Sequence, residues 1–120
     1  MGRKIILMSK YTRLNNLKRL FEFLENNSAK IPEAGCWLWL RGVQEKGYGI
    51  LMYEGRNQRT HRLMWKAVKG DIPIGKLVCH TCDIPCCVNP YHLWLGTPKE
   101  NSEDMSKKGR VSNQFLRNRK

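Results

Sequence analysis

The fifteen positions from Cys79 to Leu93, CHTCDIPCCVNPYHL, hold four of the chain's five cysteines and two of its three histidines. With Pro85 and Pro90 inside it, this stretch cannot run as continuous helix or strand, so it folds as an irregular loop held by something other than a backbone ladder. A chain of 120 residues buries only a small core, and a structural metal would supply much of its stability. The odd cysteine count and the neighbouring histidines favour a metal over disulfides, in a reducing compartment. The opening MGRKIILMSKYTR is too broken by charge for a secretory signal. No apolar run approaches the roughly 18 residues that cross a bilayer, so the expectation is an intracellular protein with no membrane partner.

A tetrahedral zinc site takes four thiolate or imidazole ligands, and the loop offers more than four. In one assignment Cys79 and Cys82 form a C-x-x-C knuckle closed by Cys86 or Cys87 and His92. In the other, Cys82, Cys87 and His92 bind at steps of five and the distant Cys36 completes the set. The first encloses His80 in the chelate loop and leaves Cys36 without a role; the second leaves Cys79 in the core and frees His80 to face outward. Spacing alone leaves the two even.

The net charge of +12 sits at the ends. Residues 1–20 carry six basic and no acidic side chains, residues 107–120 the same, and residues 21–106 balance ten against ten. A neutral body with two cationic ends suits a module laid along a polyanion, and the partner expected is nucleic acid.

Leu14, Leu17, Leu20, Phe21, Phe23 and Leu24 form the apolar stripe of an amphipathic helix over 12–25, ended by Asn26, Asn27 and Ser28. CWLWLRG and YGILMYEG read as two strands of a hairpin, with Trp37 and Trp39 in the core. HRLMWKAVKG reads as a short helix stopped at Gly70, and Lys76–His80 and Leu93–Leu95 as strands. The clearest signal is TPKEN: Thr97 as N-cap, Pro98 in the first helical position and Glu100 closing a capping box, with the helix running to about Lys108 and Gly109 stopping it.

The run CHTCDIPCCVNPYHLWLGTPKEN, followed by DM and KGR and preceded by GCWLWLRG, GYGI and THR, resembles the HNH endonucleases of phages and mobile introns, a branch of the ββα-metal (His-Me finger) nucleases. The order from Cys36 to Asn101 is also similar to the His-Cys box homing endonucleases. The resemblance covers residues 35–110, about two thirds of the chain. It implies an α+β fold, a small zinc-stapled ββα-metal domain with an N-terminal β-hairpin, an extra N-terminal helix and basic tails. The corresponding division is 1–30 as a basic N-terminal segment, 31–110 as the HNH nuclease domain and 111–120 as a basic tail. It further implies His80 as general base, Cys36, Cys82, Cys87 and His92 as ligands of a structural zinc, and Asn101 as ligand of a catalytic divalent ion such as Mg²⁺. Asn89, in the N-P element, shapes the loop and helps hold the base.

These roles are chemically coherent. Neutral imidazole takes a proton from water at cellular pH, and a divalent ion neutralises charge at phosphorus. Asn101 falls in the first turn of its helix, whose positive end favours phosphate, and Asp104 shares its face. By position Arg59 is the first candidate for the scissile phosphate and Arg62 the second, with Lys107, Lys108 and Arg110 as further DNA contacts; His61 reads as structural. The expected activity is a metal-dependent DNA endonuclease that nicks or cuts double-stranded DNA, leaving 5′-phosphate and 3′-hydroxyl, as monomer or homodimer in the cytoplasm of a phage-infected bacterium. The competing class is a zinc-stabilised nucleic-acid-binding module without activity, which would not need His80 beside Cys82 together with Asn101 in a capped helix.

Overall fold

The structure, a computed structural model, describes residues 10–108, with side chains from residue 16. Gly109, the expected helix stop, and Arg110 lie outside the described residues. Helix α1 spans Lys10–Asn26 and is followed by β1, Ser28–Lys30, and β2, Trp37–Trp39. Then come β3, Ile50–Tyr53, β4, Arg56–Arg59, and helix α2, Thr60–Val68. The chain closes with β5, Leu77–His80, a 3-10 turn at Pro90–His92, β6, Leu93–Gly96, and helix α3, Pro98–Lys107.

The strands form three antiparallel pairs, β1 with β2, β3 with β4, and β5 with β6. The hairpin expected between CWLWLRG and YGILMYEG is replaced by two separate ladders, since β2 pairs with Ser28–Lys30 and β3 with Arg56–Arg59. The two runs still adjoin through a single bridge, Val43 to Gly49. The reason lies in Trp39, which is 4% exposed and donates its indole N–H to the carbonyls of Gly42 and Ile50 at 3.1 and 3.2 Å. That side chain fills the space between the runs and keeps them from zipping. A Cβ on Gly49 would lie 2.5 Å from Thr60 Oγ1 and 2.7 Å from the Trp39 ring, so only glycine lets the chain pass there.

The core joins Leu20 and Leu24 of α1, Leu63 and Met64 of α2, Trp39, Val78, Val88 and Leu93. Leu24, Leu63 and Met64 are almost fully buried, each contributing roughly 1.5–3 kcal/mol by leaving water. α1 therefore packs against α2, as its stripe predicts, although Phe23 remains 40% exposed. β5, β6 and α3 form the ββα unit. β5 pairs with β6 in a register that sets His80 opposite Leu93, and residues 81–92 between them are the cysteine loop. α3 starts as its sequence predicts: Thr97 Oγ1 accepts from the Glu100 N–H at 3.1 Å and the Glu100 carboxylate accepts from the Thr97 N–H at 2.8 Å. Among the described residues no helix is long and apolar enough to cross a membrane.

Candidate functional site

The loop gets its shape from its contacts with β2. Leu38 bridges Cys87, the Trp39 N–H donates to the Cys86 carbonyl at 3.0 Å, and the Val88 N–H donates to the Trp37 carbonyl at 2.8 Å. Gly35, at φ +76°, turns the chain into β2 just before Cys36. Asn89 ties these parts together, its amide donating to the Gly35 carbonyl at 2.6 Å and its oxygen accepting from the Tyr91 N–H at 2.8 Å. The 3-10 turn that follows swings His92 back over the loop.

Cys36, Cys82, Cys87 and His92 are thereby gathered with their ligand atoms all within 4.8 Å of one another. His92 Nδ1 lies 3.7 Å from Cys36 Sγ and 3.5 Å from Cys87 Sγ. A tetrahedral zinc with Zn–S near 2.3 Å and Zn–N near 2.0 Å separates S from N by about 3.6 Å, so this donor set fits zinc. Burial pushes the Cys87 thiol up to about 12, and burial followed by the neighbouring Cys82 raises Cys36. Thiols so placed stay protonated unless a cation replaces the protons. Cys79 goes elsewhere, its thiol 3.7 Å from the Leu77 carbonyl. Four protein ligands leave no open position, so a zinc here would hold the loop without entering a reaction.

Beside the loop lies a cavity of about 150 Å³ whose lining includes His80, His61, Tyr48, Arg59, Arg62 and Asn101. His80, expected to face outward, is only 9% exposed and forms part of the cavity wall. Its Nε2 is 3.0 Å from the carbonyl oxygen of Cys87. A carbonyl only accepts, so Nε2 carries the hydrogen and Nδ1 the lone pair of the neutral ring. The group that orients His80 is thus the backbone of a residue whose sulfur joins the cysteine cluster. Asn89, expected to help hold the base, has its side chain on the Gly35 carbonyl and the Tyr91 N–H.

Asn101, half-buried in the first turn of α3, reaches the same cavity. Arg59, the last residue of β4, is exposed and lays its guanidinium over Tyr48, with Cζ 4.3 Å from the ring centroid. Arg62, one turn into α2, is half-buried on the cavity wall. Lys108, expected to meet DNA, instead pairs with Asp104 at 2.9 Å and Asp83 at 3.1 Å and donates to the Thr81 carbonyl at 3.1 Å. Asp104 is therefore engaged in that pair, and Lys108 ties the end of α3 to the loop. Lys107 is exposed.

His61, read from sequence as structural, belongs to the cavity. It is 4% exposed and packs against both Tyr48 and His80, at centroid distances of 5.3 and 4.7 Å. Burial, then the charge of His80, push its pKa down to about 3, against a raising hydrogen bond with the Val78 backbone. In the sequence His61 lies in the THR segment and Tyr48 in the GYGI segment of the family resemblance, which assigned neither a role.

Residues 58–103, from β4 through α2, β5, the loop and β6 into α3, match the model of a family described as HNH endonuclease. The matched span holds every cavity residue named above except Tyr48, while Cys36 precedes it. Together with the α+β fold and the gathered cysteines, this supports an HNH-type phage protein. The chain is similar to Protein 7.7 of Escherichia phage T7, 48% identical over 75 residues that make 62% of this chain and 58% of that protein. It is also similar to Protein 2.8 of the same phage, 46% identical over 83 residues, 68% of this chain and 56% of that one. The chain thus spans a little over half the length of the curated relatives it matches. No solved structure matches it.

Proposed function

We propose that the chain is a metal-dependent DNA endonuclease that hydrolyses phosphodiester bonds with His80 as general base, residues 31–110 forming the nuclease domain. The observation that carries this reading is the bond from His80 Nε2–H to the Cys87 carbonyl at 3.0 Å, in a cavity shared with Asn101 and Arg59. It sets the tautomer in which Nδ1 can accept a proton from water. Such a base contributes roughly 10²–10⁴-fold.

In the proposed reaction a water gives a proton to His80 Nδ1 as its oxygen bonds to phosphorus. The bond from phosphorus to the 3′ oxygen breaks, the leaving oxygen takes a proton from a solvent water, and His80 later returns its proton to solvent, leaving 5′-phosphate and 3′-hydroxyl ends. Arg59, exposed on the cavity lining, neutralises the scissile phosphate, with the half-buried Arg62 as the second candidate. The cavity wall offers oxygen donors in Asn101 and Asp83, which suit a hard ion such as Mg²⁺ better than a soft one. Asp83 is already paired with Lys108, so Asn101 is the candidate ligand, and phosphate oxygens and water would fill the rest of the shell. When bound, the ion supplies Lewis-acid stabilisation at phosphorus and at the leaving oxygen. Cys36, Cys82, Cys87 and His92 hold a structural zinc, which fixes the loop and through Cys87 the orientation of His80.

Double-stranded DNA is the proposed partner, met by the cationic arginines and the exposed Lys107. The phage relatives favour action inside an infected bacterial cell. Supercoiled plasmid incubated with the zinc-loaded chain and Mg²⁺ is expected to give nicked or linear product, and none with EDTA. Retarded migration of uncut plasmid under both conditions would replace the nuclease by a zinc-stabilised binding module.

A further inference from the structure

Two aromatic side chains of the cavity have no part in the chemistry above. Tyr48 and His61 stack at 5.3 Å with 24° between their planes, and His61 meets His80 at 4.7 Å with a 30° tilt. Tyr48 is also 6.4 Å from His80, so the three rings form one group. The Arg59 guanidinium lies over the Tyr48 ring at 4.3 Å. The exposed cation is therefore joined to the buried base through a triangular cluster of rings, drawn from the turn before β3, the start of α2 and the end of β5.

His61 is 4% exposed and packs against both other rings of the cluster, with the backbone of Val78, two residues before His80 on the same strand, beside its imidazole. Among the described residues its buried Nδ1 has no hydrogen-bond partner. Because its pKa is depressed to about 3, the ring stays neutral beside a base that gains charge.

We infer that Tyr48 and His61 are positioning residues that hold the Arg59 guanidinium and the His80 imidazole at a fixed separation for phosphodiester hydrolysis. The inference rests on the nuclease reading. An exposed arginine has many rotamers, and a ring face selects the few that lay its plane flat. Hydrolysis needs the phosphate and the attacking water placed together, and an error of about 1 Å costs on the order of 10²-fold. The ring cluster links the two groups that set those positions.

The test uses the zinc-loaded full chain on supercoiled plasmid at saturating Mg²⁺, with kcat and KM measured separately. Tyr48→Leu and His61→Leu are expected to lower kcat by about tenfold or more with KM little changed. Tyr48→Phe, which keeps the ring, is expected to recover the rate lost in Tyr48→Leu. Combining Tyr48→Leu with Arg59→Ala should cost at least about fivefold less than the product of the single losses, because the two act through one contact. Losses that simply multiply, or equal rates for the phenylalanine and leucine variants, would overturn the positioning role. A measurement without turnover gives a second check should a leucine variant fail to fold. In the wild-type protein the His80 ring protons are expected upfield of those of His92 in the NMR spectrum, and ordinary His80 shifts would overturn the stacking. Cleavage that persists in His80→Ala would instead remove the nuclease chemistry on which the positioning role depends. Loss of cleavage in His80→Ala beside full activity in both leucine variants would remove the positioning role alone.

Discussion

A histidine kept neutral by burial makes stability depend on acid by a calculable amount. His61 takes a proton near pH 6.5 in an unfolded chain and only near 3 in the folded one. Burial is the larger cause, followed by the charge of His80, with Arg59 and Arg62 pushing the same way and the Val78 backbone opposing. Tyr48 stacks on its ring. Between those two values the unfolded state binds the extra proton, so stability is full above pH 6.5 and falls as pH drops toward 3. At about 1.4 kcal/mol per pH unit the loss is about 2 kcal/mol at pH 5 and approaches about 5 kcal/mol at the bottom of the window. His61→Gln keeps an N–H donor for Val78 and does not titrate. Urea unfolding of both zinc-loaded proteins at pH 7.5 and 5.5 isolates the effect, because acid acts on the cysteine cluster equally in each. The wild-type chain is expected to lose about 1.4 kcal/mol more than the variant across that interval. Parallel losses would refute a neutral, buried His61.

Cys36→Ser is expected to lower zinc retention against a chelator, although Cys36 stands far from the loop in sequence; losing about 2 kcal/mol would drop the melting temperature by about 8–16 °C, and unchanged zinc content would count against the Cys36 set. Gly49→Ala forces a methyl into Thr60 Oγ1 and Trp39, at 2.5 and 2.7 Å, and should cost about 1–3 kcal/mol in denaturant unfolding, whereas a neutral result would show that the two runs can part. Lys107→Met should flatten the salt dependence of DNA binding by about 0.9 in log–log slope. Lys108→Met should leave that slope nearly unchanged, since Lys108 is held by Asp83 and Asp104; equal changes would mean that Lys108 leaves its carboxylates for DNA.

What could be read from sequence was what short-range chemistry decides. The start of α3 depends on Thr97, Pro98 and Glu100 within one turn, and the structure places all three as that pattern requires. The end of α1 at Asn26 follows in the same way from Asn26, Asn27 and Ser28. Strand pairing was less legible. Ser28–Lys30 has no β-favouring composition, and it becomes a strand because β2 offers it an edge. The choice between two cysteine sets stayed open on spacing because Cys36 meets Cys87 only after β2 docks on residues 86–88. The partner of His80 is a backbone carbonyl, and no residue type reports where a carbonyl will point. Tyr48 and His61 stand in the GYGI and THR segments of the resemblance, but their joint position was not legible for a related reason: aromatic residues in a small domain read as core until three chain segments are seen to meet at one cavity.

The central claim is that the loop held by the cysteine cluster presents His80 as a base for cutting DNA. Its most direct test is plasmid cleavage with Mg²⁺ by His80→Ala, run beside the wild-type chain, with zinc content and melting temperature measured on the same samples. A rate lower by about 10²–10⁴-fold with zinc and fold retained is the predicted result. Cleavage within a few-fold of wild type would contradict the account.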